Sequence, residues 1–215
     1  EAGHGLYEQG LLVEEFGLPS GTAVSLGIHE SQSRLWENHV GRSEVFWKKW
    51  YPVACGYFDG LKAVPMEVFL RQLWRAAYSL IRVEADEATY DLHILLRVGL
   101  ERRLISGDLD VRDVPLEWGN GFEELFGTRP PDDRRGCLQD VHWSMGGIGY
   151  FATYTLGNLN AAQLFTAARR EAVVEKGINE ANYVPLLEWL RKHVHELGSV
   201  EFPKKLMLKA TGKET

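Results

Sequence analysis

Apolar residues in this chain recur at spacings of three and four over long stretches and seldom alternate with polar ones, which limits the chain to a helical architecture. In Tyr183 to Leu197, Leu186, Leu187, Leu190 and Val194 share one face while Arg191, Lys192 and Glu196 occupy the other. Pro65 suits the first turn of a helix running to about Ser79, with Phe69, Leu70, Leu73, Trp74 and Ala77 on its buried side. Only the short β-prone stretch Leu80 to Val83 reads as an extended piece, so the expected fold class is mainly α with at most a small sheet. A hydrophobic fraction of 45% with seven Trp supplies a sizeable core, and one domain over 1–215 is expected.

The punctuation of the chain sets the remaining elements. Glu1 to about Gln9 reads as the tail of a helix, and Gly17 to Gly21 as a loop, with helix resuming before His29. Gly41-Arg42-Ser43 breaks the pattern, Ser43 caps a short helix through Trp50, and Tyr51 to Leu61 is read as irregular. Asp86 caps a long helix to about Ile105 that Gly107 ends, and Val114-Pro115 begins another that reaches Phe126. Gly127 to Gly136 is a charged loop. From Asp140 to about Lys176 the pattern is helical, although Gly146, Gly147, Gly149 and Gly157 demand close packing or a bend, and the segment after Phe202 is expected to fray.

Charge and cysteine content exclude several functions. A formal charge of −6 without a basic stripe argues against nucleic acid, whose binding rests on Lys and Arg neutralising phosphates. Cys55 and Cys137 form no Cys-x-x-Cys pair, which fits inert thiols in a reducing compartment. No apolar run approaches the roughly 18 residues that span a bilayer, so a cytoplasmic protein without a membrane partner is expected.

The chain opens on Glu1-Ala2-Gly3-His4. A His-Glu-x-x-His helix places two imidazoles one turn apart on a zinc ion, with the Glu facing the metal-bound water as general base. In that frame Glu1 is the base, His4 the second imidazole, and the first His belongs one position before Glu1. The third ligand of such sites is often a carboxylate from a later helix, and Glu30 follows within plausible reach, with Arg34 one turn on to orient it. Two fixed letters also fit a surface Glu and His on a helix face, and a stripe of Glu30, Arg34 and Glu37 also fits a solvated ion-pair face.

Five blocks in order carry a resemblance: EAGHGLYEQG from Glu1, HESQSRLWEN from His29, IRVEADEATYDLHI from Ile81, GCLQDVHWSMGGIGYFATYTLGN from Gly136 and PKKLMLKATG from Pro203. With them the chain resembles the carboxypeptidase Taq family of zinc metallocarboxypeptidases. The family's Asp-x-Arg-x-Thr motif and its final segment have no counterpart here, so the resemblance implies a catalytic domain cut at both ends, of zincin-type helical fold. It implies zinc, with cobalt a possible substitute, a peptide substrate with a free C-terminus, and a homodimer at full length.

The resemblance also assigns roles. Arg82 becomes the cation that recognises the substrate's terminal carboxylate, with pairing to Glu84 or Glu87 as the structural alternative. His142 becomes a substrate or transition-state contact oriented by Asp140, and Tyr154 a hydroxyl donor to the oxyanion or the substrate, with Tyr150 as its rival. Ala152 stands where the family usually has Pro, which puts the aim of Tyr154 in question. His93, His193 and His195 are read as structural, while His29 and His39 stay open, His29 as a possible support for the ligand beside it. Competing readings are a related zinc endopeptidase or dipeptidase, and an inactive peptide-binding or assembly fragment that cannot hold metal.

Overall fold

A computed structural model describes residues Glu1 to Glu214, and among them there is helix and no strand. Ten α-helices follow in order: α1 Ala2–Glu8, α2 Leu26–Arg34, α3 Glu44–Tyr57, α4 Met66–Leu73, α5 Tyr90–Ser106, α6 Val114–Phe126, α7 Ala152–Ala168, α8 Ala172–Asn179, α9 Val184–His193 and α10 Pro203–Thr211. The chain divides into two compact units, one of residues 1–73 with residues from 156 onward, the other Trp74–Thr155. No described helix is long and apolar enough to cross a membrane.

In the first unit, Tyr7 of α1 and Ile28 of α2 are buried with Leu164 of α7, Leu186 and Leu190 of α9, and Leu206 and Met207 of α10. The segment after Phe202 is therefore not frayed: Pro203 opens α10, two of its apolar residues reach the core, and Gly212 ends it at φ 82°. Ser43 caps α3 as expected, its hydroxyl accepting from the Phe46 amide, but α3 continues through Pro52 to Tyr57. A proline inside a helix removes one backbone bond without stopping the rest. The helix begun at Pro65 ends early, at Leu73; of the expected stripe only Leu70 is buried, and Trp74 is half exposed.

In the second unit, Leu96 and Leu100 of α5 pack with Trp118 and Phe122 of α6. Asp86 accepts from the Ala88 and Thr89 amides and so prepares the turn from which α5 starts, while Gly107 and Gly127 close α5 and α6 in the left-handed region, at φ 81° and 70°. The stretch Leu80–Val83 forms no strand: Ile81 is extended, at φ −103° and ψ 122°, but a 3-10 turn, Arg82–Glu84, takes over after it. The helix expected from Asp140 to Lys176 is three pieces: a 3-10 turn at Trp143–Met145, then α7, then α8. Gly146 and Gly149, at φ 76° and 83°, turn the chain before α7 begins.

Helices α1 and α2 cross at Gly3. A Cβ there would stand 2.2 Å from the Gln32 carbonyl oxygen and 2.6 Å from the Ser33 nitrogen, so only glycine lets the two backbones meet. Gly3→Ala is expected to cost about 1–3 kcal/mol, because the obstacle is main chain and no rotamer relieves it. Urea denaturation checks this, and unchanged stability would exclude so close a crossing.

Candidate metal pair and substrate cluster

In the first unit the α1–α2 crossing brings His4 and Glu30 together: His4 Nε2 stands 3.3 Å from Glu30 Oε2. A neutral or charged N–H···O bond would be shorter, about 2.9 Å. Two atoms bound tetrahedrally to one zinc at about 2.0–2.2 Å lie roughly 3.3–3.5 Å apart, so the pair fits two corners of such a site. Burial, and after it the neighbouring His29, holds the His4 imidazole below its usual pKa, which keeps it neutral as a ligand must be. Glu30 is only 8% exposed, and Gly157 of α7 makes its room: a Cβ on Gly157 would lie 2.7 Å from Glu30 Cγ.

Glu1 stands exposed at the start of α1, its charge acting on His4 in the direction opposite to burial. Arg34 donates from Nε to Asn158 Oδ1 at 2.7 Å and from Nη1 to Glu37 Oε2 at 3.0 Å. After Arg34 the chain passes into a π-helical stretch, Leu35–Gly41, an irregularity common beside functional sites. From α2, His29 reaches two side chains of α1: its Nδ1 is 2.6 Å from His4 Nδ1 and its Nε2 is 2.8 Å from Glu8 Oε1. Among the described residues no group of three or more His, Cys, Asp or Glu is placed to hold a metal.

The second unit carries the other candidates. Arg82 is buried and pairs with Asp140, not with Glu84, donating from Nε at 3.0 Å and Nη2 at 2.6 Å to Oδ1; its Nη1 donates to the Tyr90 hydroxyl at 2.7 Å. Asp140 also receives Arg97, from Nε to Oδ2 at 2.8 Å, so two guanidinium groups share one carboxylate. Burial works against both guanidinium charges. It pushes the Arg97 guanidinium down to about 10, whereas in Arg82 the hydrogen bonds to Asp140 outweigh it and raise the pKa. Burial also opposes the Asp140 anion, and the two arginines overcome it, holding the carboxyl below its usual range.

Asp140 does not orient His142 as expected: their closest approach is 3.9 Å, too long for a hydrogen bond, because both carboxylate oxygens are already taken by arginine. His142 Nε2 instead meets the Tyr154 hydroxyl at 3.0 Å. Tyr154 sits in the first turn of α7 with the Arg82 guanidinium 4.6 Å from its ring centre, so the change to Ala152 at the helix start leaves it against His142. Tyr150 precedes the helix, so it does not share a helical face with Tyr154, and its ring lies 5.2 Å from that of His142. His93 and His195 are fully buried, and His39 stacks on Phe165.

Sequence reasoning did not assign Gly3, Gly157 or Arg97 to a site. Glu8 had a signal, its position one turn from His4, but no partner could be named without the fold. Gly3 is the second of the two residues between Glu1 and His4, where only a crossing backbone explains a glycine.

The carboxypeptidase Taq (M32) metallopeptidase family matches this chain over residues 1–215. Thermostable carboxypeptidase 1 of Thermus thermophilus is 48% identical over 213 residues, covering 99% of this chain and 42% of its own length. Thermostable carboxypeptidase 1 of Pyrococcus furiosus is 42% identical, with 100% and 43% covered. The crystal structure of the M32 carboxypeptidase from Deinococcus radiodurans superposes with a TM-score of 0.92 at 42% identity, covering all of this chain and 44% of that one. The chain thus spans less than half the length of the relatives it matches.

Proposed function

The chain belongs to the carboxypeptidase Taq (M32) metallopeptidase family, and on that premise we propose that the protein containing it is a zinc-dependent carboxypeptidase that removes single residues from peptide C-termini. The 3.3 Å approach of His4 Nε2 to Glu30 Oε2 supports this reading, because an ion pair at that distance also has the spacing of two donors on one metal ion. Membership of the family implies a metal; zinc is proposed from the donor set of imidazole and carboxylate, and cobalt fits the same donors. Bound zinc supplies a water that ionises near neutral pH, with a pKa of about 7, and a Lewis acid for the scissile carbonyl.

The chain's own residues supply the rest. His4 and Glu30 would hold the ion, and Glu1 would accept the proton of the attacking water. Tyr154, hydrogen-bonded to His142, donates its hydroxyl to the oxygen on which negative charge develops, and the hydrogen bond fixes its direction beforehand. Arg82 recognises the terminal carboxylate. Asp140 and Tyr90 occupy three of its five N–H groups and lock the guanidinium plane, leaving one N–H on each terminal nitrogen for a ligand.

An exopeptidase must distinguish a chain end from its middle, so the test is a peptide with a free C-terminus beside its amidated twin. The free peptide is expected to be cleaved and the amidated one to resist. Equal rates would remove the carboxypeptidase assignment and favour an endopeptidase. Arg82→Met should raise KM for the free peptide and so narrow its advantage over the amidated one.

A further inference from the structure

We propose that His29 and Glu8 are positioning residues that fix the tautomer of His4, leaving its Nε2 lone pair for a metal ion. The inference deepens the metal-binding reading above and rests on it.

The two imidazoles meet Nδ1 to Nδ1 at 2.6 Å, with ring planes 26° apart and centroids 4.7 Å apart. That separation is close to the N···N distance plus one ring radius on each side, so the rings meet edge to edge in nearly one plane. This is the geometry of an N–H···N hydrogen bond and not of a stack. One hydrogen lies between them, and with both rings neutral it belongs to one or the other.

If His29 carries it, His29 Nε2 is bare and turns a lone pair on the Glu8 carboxylate at 2.8 Å, a repulsive contact. If His4 carries it, His29 Nε2 bears its own hydrogen and donates it to Glu8 at that distance. His4 Nε2 is then bare and directed at Glu30, the corner a cation occupies. The shorter contact decides for the second arrangement. The order is a relay: Glu8 accepts from His29, and His29 accepts from His4.

Each ligand helix contributes one ligand and one positioning group, His4 and Glu8 from α1, Glu30 and His29 from α2. The His29 ring is held from beneath by Tyr7, 5.3 Å away and fully buried, and Tyr7 in turn lies 5.0 Å from the buried His195 ring. A ligand imidazole needs its second nitrogen engaged to set tautomer and direction, and loss of such a partner typically weakens metal binding about 10–100-fold.

The test is a long-range proton–nitrogen spectrum of the histidine-labelled chain at pH 8, metal-free and during zinc titration. Metal-free His4 is expected to be protonated on Nδ1 and His29 on Nε2. His29→Phe keeps the ring but removes the acceptor, and should move His4 toward Nε2–H and weaken zinc binding about 10–100-fold. Glu8→Leu, an exposed substitution that leaves the core alone, should act in the same direction. Glu8→Gln should retain the wild-type pattern, because an amide oxygen still accepts from His29; a purely electrostatic role would not show this rescue. If zinc leaves the wild-type His4 signals unmoved, the metal-binding reading falls and this proposal with it. If zinc shifts them while metal-free His4 carries its proton on Nε2, the proposal alone falls.

Discussion

Replacing Asp140 by Asn is expected to destabilise the Trp74–Thr155 unit by about 3–5 kcal/mol, the usual consequence of removing one member of a buried ion pair. Asp140 sits between Arg82 and Arg97, and Arg97 is fully buried, its guanidinium 4.5 Å from the Trp118 ring. The amide keeps the volume and one acceptor oxygen but cannot satisfy both arginines, and its NH2 opposes one of them. Arg97 would then hold a charge in the core with no counter-ion. Trp118 and Trp143 lie in the same unit and report its unfolding by fluorescence. A loss under about 1 kcal/mol would mean that the three charges are far better solvated than their burial indicates. The pH dependence gives an independent sign. The Asp140 carboxyl is held below its ordinary value of 3.8, so its contribution is complete above that pH and lost as pH falls through the lowered folded value. The variant should lack this acid-dependent component.

Acidification from pH 6.5 toward 4 should destabilise both units through two buried histidines. Burial, reinforced by Arg97 and Arg82, pushes His93 down to about 4, and burial with Arg191 does the same to His195, from an ordinary 6.5. In this window the unfolded chain binds a proton at each site and the folded chain does not, so stability rises with pH up to 6.5 and is flat above it. Each histidine is worth on the order of 3 kcal/mol across the window. One lies in each unit, and His195 Nε2, 2.9 Å from Gln32 Oε1, has a partner suited to the neutral ring. Urea denaturation at pH 5 and at pH 7.5 should differ by a few kcal/mol. Equal midpoints would mean that the two rings are protonated within the fold.

The elements that the sequence marks with local chemistry are the ones read correctly. Val114-Pro115 and Gly127 bound α6, Gly107 ends α5, and Ser43 caps α3, because each signal acts on the backbone within a turn of itself; Asp86 shapes the turn before α5, whose N-cap is Thr89. Errors arose where distant packing decides. Pro52 reads as a stop but lies inside α3. The tail after Phe202 reads as polar and loose, yet Leu206 and Met207 are core residues of the first unit. At the candidate site, the approach of His4 to Glu30 was foreseen from a motif and a plausible reach. The partners of Arg82 were not, since Asp140 is 58 residues away along the chain and competes successfully with nearer acids. Nearness in sequence misleads for His142: Asp140 is two residues away, yet both of its oxygens are held by arginines, and His142 meets Tyr154 instead.

Because Gly3 sets α1 against the main chain of Gln32, the distance between His4 and Glu30 is gauged by backbone meeting backbone. Mutational drift among the aliphatic residues beneath, such as exchange of Ile28 or Leu164 for a neighbour of similar bulk, should leave the ion's corner unaltered. The spacing would respond to one position above all, a residue without a side chain.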